Sequence, residues 1–145
     1  MNIEIINNPL KLSLHGFSGF AKNKDYAGTA FKLMDRMWQI IKTNQLKNKG
    51  LNIWVHEENE SVFAGVELDE IPNQETGLEQ KSIILSKYAC YKHIGPYHQI
   101  GQAVQTMTSD LKNRAFETRL PYIEIYGHWS KDETKLETEL IFCLK

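Results

Sequence analysis

Glu124 stands in the run Pro121-Tyr-Ile-Glu-Ile-Tyr-Gly-His-Trp129, a carboxylate set among aromatic rings. An opening proline, β-branched and aromatic residues, and a late glycine read as a strand. Side chains alternate across a strand. Ile123 and Ile125 therefore share one face, and Glu124 and Tyr126 share the other. The isoleucines need a dry partner, and packed helices are the expected one. The opposite face is then either open to water or the lining of a pocket. That choice decides what Glu124 can do.

An isolated carboxylate in a dry site is costly and tends to take up a proton instead. Tyrosine hydroxyls that donate to it favour the charged form, and a cationic ligand would do the same while recovering part of the desolvation cost. Each aromatic face near such a ligand adds roughly 0.5–2 kcal/mol of cation–π attraction. One acid with several rings thus suits loose recognition of large cations. The candidate rings are Trp54, Phe63, Tyr91, Tyr97, Tyr126 and Phe142, with Met34 and Met37 as adaptable apolar surface. Trp38 falls on the apolar side of a helical pattern and reads as core. Trp129 follows the strand and reads as a rim or lid residue.

Other chemistry finds little support. His93, before Ile94-Gly95-Pro96, reads as a turn or cap residue. His15, His56, His98 and His128 show no ligand spacing with one another, and His56-Glu57-Glu58 lacks the second histidine of a zinc-protease motif. No Gly-x-Ser-x-Gly elbow is present for a serine nucleophile. Gly95 precedes a helix start that could hold an anion, but without a glycine-rich run the signal is weak. Cys90 and Cys143 form no C-x-x-C pair and read as reduced, buried thiols. No metal and no cofactor are expected.

The elements that must position Glu124 can be taken in order. Residues 3–6 and 10–20 are mostly apolar around the turn Asn7-Asn8-Pro9 and read as one or two strands. Asp25 can cap a helix over Ala27–Asn44, whose apolar positions Ala30, Phe31, Leu33, Met34, Met37, Trp38, Ile40 and Ile41 have helical spacing. Leu51–His56 and Val62–Leu68 read as a strand pair, with Gly65 marking a bend or a close approach. Residues 69–81 are polar and read as a linker. Ser82–His93 returns to strand character, and Gly95-Pro96 breaks it. Ile100, Ala103, Val104, Met107 and Leu111 mark a second helix ending near Arg114, and Glu137–Leu144 reads as the last strand.

Both halves therefore run strand, helix, strand, strand, and the match extends to residues. Leu51-Asn-Ile-Trp-Val-His56 aligns with Ile123-Glu-Ile-Tyr-Gly-His128, and Phe17-Ser-Gly-Phe20 with Ile94-Gly-Pro-Tyr97. Asn52 takes the place of Glu124, and Trp54 that of Tyr126, so only one copy carries the acid. The expected fold is α+β: two pseudo-symmetric repeats (about 3–69 and 82–145) in one antiparallel sheet, two helices on one face, and a cleft at the repeat interface. The chain is expected to be a single domain over residues 1–145.

At 145 residues the chain is long enough for a substantial core. Its 17 basic and 18 acidic residues nearly cancel, which gives no field to draw in nucleic acid or an acidic membrane. No apolar run of about 18 residues and no secretory leader are visible, so a cytoplasmic location is expected, with no direct nucleic-acid or membrane partner.

Three pieces together resemble one family: Tyr88-Ala-Cys-Tyr-Lys-His-Ile-Gly-Pro-Tyr97, Pro121-Tyr-Ile-Glu-Ile-Tyr126 and Thr138-Glu-Leu-Ile-Phe-Cys-Leu144. Their order and spacing are similar to those of the GyrI-like effector-binding domain, also found as the ligand module of AraC-type and MerR-type multidrug regulators. The resemblance implies a two-fold pseudo-symmetric fold whose central cavity takes lipophilic, often cationic compounds. It places the acidic residue that meets the ligand's charge at Glu124, with aromatic rings stacking around it. The regulators carry a helix-turn-helix ahead of this domain; here the domain begins near residue 3, so a stand-alone sensor, sink or effector module is implied. Two other roles are consistent with the family. One is hydrolysis of reactive, strained electrophiles, with Glu124 orienting a water and Tyr91 or Tyr126 donating. The other is docking onto a protein partner such as a transcription factor or topoisomerase.

Overall fold

The computed structural model describes residues 1–145. The chain runs β1 (Glu4–Ile6), β2 (Leu10–Phe20), α1 (Tyr26–Thr43), β3 (Ile53–Glu57), β4 (Ser61–Val66), β5 (Glu79–Leu85), β6 (Tyr88–Ile94), α2 (Ile100–Asn113), β7 (Thr118–Tyr126) and β8 (Glu137–Leu144). All eight strands join one antiparallel sheet in the order β1-β6-β8-β7-β3-β4-β2-β5.

From the centre outward, one half is β3, β4, β2, β5 and the other is β7, β8, β6, β1. The halves are twins, and each borrows its outermost strand from the other: β1 pairs with β6, and β5 pairs with β2. The segment Ser82–His93, expected to be one strand, is therefore two. β5 starts at Glu79, inside the stretch read as linker, and the chain bends at Ser86-Lys87 to cross between halves. β7 likewise begins at Thr118, ahead of Pro121, and ends at Tyr126, so Gly127–Trp129 lie beyond it. Pro121 sits at an irregularity in the β7–β8 register between Arg119 and Tyr122, where a missing N–H is tolerated.

These crossings force the sheet to roll. Leu85 and Tyr88 are three Cα steps apart, about 11 Å at most, yet a flat sheet would hold β5 and β6 six strand spacings apart, about 29 Å. The β1–β2 link makes the same demand from the other edge. The sheet curls until its outer strands approach, without closing.

The roll decides what each face packs against. Inside it, Ile53, Val55, Phe63, Ile123, Ile141 and Cys143 from the central strands meet Leu12, Leu14, Ile83 and Leu85 from β2 and β5. No helix residue belongs to this cluster or is among the hydrophobic side chains packed against it. The expectation that helices cover Ile123 and Ile125 is thus overturned: the isoleucines find their dry partner in the curled sheet, and both helices lie on Glu124's face. Gly65 makes the close approach expected of it, since a Cβ there would come within 2.6 Å of the Phe63 ring.

On the outer face α1 packs over β2 and β4, burying Met37 and Ile41 against Phe17 and Val66, and Ala30 against Trp54, Val62 and Ala64. Asp25 caps α1, its Oδ1 accepting from Gly28 N at 3.0 Å. α2 turns Ile100, Ala103, Met107 and Leu111 inward onto Ala89, Tyr122, Leu140 and Leu144. Pro96 precedes a short 3-10 turn, Tyr97–Gln99, so the second helix proper starts at Ile100. Cys143 is buried and Cys90 half-buried, and both are free thiols; burial first, then Glu139 and Glu4, push the Cys90 thiol up to about 11. No helix is long and apolar enough to cross a membrane.

Candidate ligand-binding site

The seam between the twins is the β3–β7 pair. Ile53 faces Ile125 across it and Trp54 faces Glu124, while Tyr126 N donates to Asn52 O at 2.9 Å. The residues aligned between repeats thus sit as a square on the helix face: Asn52 and Trp54 from one copy, Glu124 and Tyr126 from the other. Asn52 is tied down, its Oδ1 accepting from Trp38 Nε1 at 2.7 Å.

Above this square, between α1 and α2, lies a cavity of about 1070 Å³. β3 and β7 form its floor with Trp54, His56, Tyr122, Glu124 and Tyr126, and Phe142 joins them from β8. α1 contributes Tyr26, Phe31 and Met34. The turn before α2 and its first turns contribute Tyr97, Ile100 and Val104. The rings form two connected runs. Trp54 and Tyr126 are 4.8 Å apart between centroids, Tyr97 adds on at 5.6 Å and Phe31 at 5.1 Å. On the other side Tyr26, His56, Tyr122 and Phe142 follow one another at 5.0, 5.3 and 4.5 Å. Phe31, Tyr97, Leu120 and Trp129 are exposed where they line the cavity, so its mouth is apolar.

Glu124 is 7% exposed at the floor. Both its oxygens accept phenol hydrogens, Oε2 from Tyr122 at 2.7 Å and Oε1 from Tyr126 at 2.6 Å. These are short, charge-assisted lengths that match an acceptor-only carboxylate. Burial and then the Glu124 charge push both tyrosine pKa values well above the ordinary range, so the phenols stay donors. The only basic nitrogen within 4.0 Å of the carboxylate is His56 Nε2, at 4.0 Å from Oε1. That is too long for a hydrogen bond, and Nε2 is buried with no partner. Burial lowers the His56 pKa, with Glu124 opposing, so the ring is neutral at neutral pH.

Five of the seven expected ligand residues meet in this cavity: Glu124, Trp54, Tyr97, Tyr126 and Phe142. Phe63 does not; it is buried inside the roll, on the other face of β4. Tyr91 does not either; it is paired with Leu140 and packs at the edge of the α2 cluster. Met34 lines the cavity, whereas Met37 is core under α1. Trp129 lines the mouth and is 72% exposed. Sequence reading missed Tyr122 and His56, although each lies two residues from a recognised floor residue and so on the same face.

The sequence model of the "GyrI-like small molecule binding domain" matches residues 19–145. The chain belongs to this family. No curated protein matches it in sequence. Among solved structures, the EcmrR C-terminal domain has a TM-score of 0.67 at 12% identity, covering 100% of this chain and 99% of that one. SAV2435 bound to tetraphenylphosphonium has a TM-score of 0.64 at 18% identity, covering 100% and 94%. A hydrolase from Listeria innocua has a TM-score of 0.56 at 12% identity, covering 99% and 91%. At these identities the likeness is one of fold.

His56 and the buried His15 on β2 both have pKa values lowered by burial. The unfolded chain then binds more protons than the folded one below the ordinary histidine pKa of about 6.5. Their contribution to stability is complete above that pH and is lost as pH falls through the lowered values. Thermal unfolding is expected to have a lower midpoint at mildly acidic than at neutral pH, and the gap should narrow in His15→Gln. Equal midpoints would contradict this.

Proposed function

We propose that this GyrI-like domain captures lipophilic compounds that carry a positive charge, serving as a drug sensor, sink or effector module. Glu124 is the counter-charge, and Trp54, Tyr97, Tyr126 and Phe142 are the aromatic wall. One observation carries the reading: a carboxylate is buried at the floor of an aromatic cavity, oriented by two phenols, with no lysine or arginine beside it. A buried charge without a counter-ion costs several kcal/mol, and a ligand cation would recover part of that. Ring faces add roughly 0.5–2 kcal/mol each to a cation within reach. SAV2435, which shares the fold, is described as bound to tetraphenylphosphonium, a cation of this class.

Calorimetric titration with tetraphenylphosphonium chloride and with neutral triphenylphosphine oxide tests the reading. The cation is expected to bind at least about tenfold tighter, the lower bound for one partly screened charge contact. Equal affinities, or no binding of the cation, would overturn it. The hydrolytic alternative is less well supported, because of the two phenols it would use as donor, Tyr91 lies outside the cavity, and Tyr126 is already bonded to Glu124 and is a weaker acid than a free tyrosine.

A further inference from the structure

We propose that His56 determines which charge class the cavity accepts: neutral, it leaves Glu124 to a cationic ligand; protonated, it becomes the carboxylate's own counter-ion and turns the cavity toward neutral lipophiles. This rests on the reading of Glu124 as the ligand's counter-charge.

The geometry is specific to this pair. His56 Nε2 lies 4.0 Å from Glu124 Oε1, inside ion-pair range and outside hydrogen-bond range. The nitrogen is buried and bonded to nothing else in the chain. Its ring is held from α1 by Tyr26 and from β7 by Tyr122, at 5.0 and 5.3 Å between centroids. The titratable groups around it are therefore Tyr26, Tyr122 and Glu124. On its own strand Glu57 follows it, already paired with Lys81 of β5 at 2.6 Å. Its cross-strand partner on β4 is Val62, which carries no charge. Glu124 is thus the one anion near His56 that lacks a cation.

A protonated imidazole here would sit as close to the carboxylate as a bound ligand cation could. Two cations sharing one buried carboxylate repel each other, so proton and ligand compete. The coupling is reciprocal: acid weakens cation binding, and a bound cation makes His56 harder to protonate. Burial independently favours the neutral ring at neutral pH, so the competition sets in below the ordinary histidine pKa of about 6.5. A neutral ligand has no quarrel with the proton. For it, a His56–Glu124 ion pair neutralises the floor and removes a charge it would otherwise have to bury.

Tetraphenylphosphonium keeps its charge at every pH, which makes it the suitable probe. Its Kd in the wild-type protein is expected to rise by about fivefold or more from slightly alkaline to mildly acidic pH, the lower end of ordinary site–site coupling. In His56→Gln the change should be less than about twofold. Triphenylphosphine oxide should bind as tightly or tighter in acid. Since His56→Gln could fold poorly, the wild-type ring can be followed directly by NMR: the His56 titration should move to lower pH when tetraphenylphosphonium saturates the site. A cation affinity that ignores pH, an equal pH response in His56→Gln, or a His56 titration unmoved by the ligand would each overturn the role of His56. Absence of cation binding at every pH would instead overturn the function it rests on.

Discussion

Glu124→Gln is expected to weaken tetraphenylphosphonium binding by at least about tenfold while leaving triphenylphosphine oxide within about twofold. The substitution keeps the volume and the floor of the cavity and removes only the charge. At about 5 Å and an effective dielectric of about 20, one charge pair is worth about 3 kcal/mol. A cavity with an open mouth screens part of that, so tenfold is the lower bound rather than the centre. Glutamine can still accept from one of the two phenols; its amide nitrogen then meets the other, which must turn away. The net effect on stability should be small or favourable, because a buried carboxylate with no lysine or arginine beside it no longer has to be held out of water. Calorimetric titration and thermal unfolding of the two proteins read both effects. Equal cation affinity would remove charge from the account of this site, and a large loss of stability would make Glu124 a structural residue.

Much of the site was legible in the sequence because it follows from two short-range rules. Strand alternation separates Glu124 and Tyr126 from Ile123 and Ile125, and the structure keeps that separation. The internal repeat sets Ile53 against Ile125, and so puts Asn52, Trp54, Glu124 and Tyr126 on one patch. Alternation also reaches Tyr122 and His56, one step further along each strand. What short-range rules do not contain is the identity of the layer each face meets. The two links that swap β1 and β5 between halves roll the sheet, and the roll gives the isoleucines a partner made of their own kind. Nothing in Ser86-Lys87 signals that crossing, since neither residue is a strong breaker. Phe63 was misplaced for a related reason. Val62-Phe-Ala-Gly-Val66 is apolar at every position, so the strand carries no alternation from which to tell its two faces apart.

Phe63→Ala is therefore expected to cost stability and spare the cavity. Phe63 is 2% exposed and packs within the ten-residue cluster inside the roll. Gly65 lies against its ring so closely that a Cβ there would meet it at 2.6 Å, which leaves no neighbour on that side able to move in and fill the gap. Truncating a buried phenylalanine costs about 3–5 kcal/mol when the site cannot collapse. For a chain of this size that lowers the unfolding midpoint by roughly 10 °C. Phe142 provides the contrast. Its ring lies 4.5 Å from Tyr122 and lines the cavity, so Phe142→Ala should weaken tetraphenylphosphonium binding as well as stability. Urea unfolding measures the first quantity, and titration at a temperature where each variant is folded measures the second. If Phe63→Ala lost as much cation affinity as Phe142→Ala, the two faces of β4 would have been assigned the wrong way round. If it lost less than about 1 kcal/mol of stability, the interior of the roll would be too loosely packed to account for the burial of Ile123, and with it for the orientation of Glu124 toward the helices.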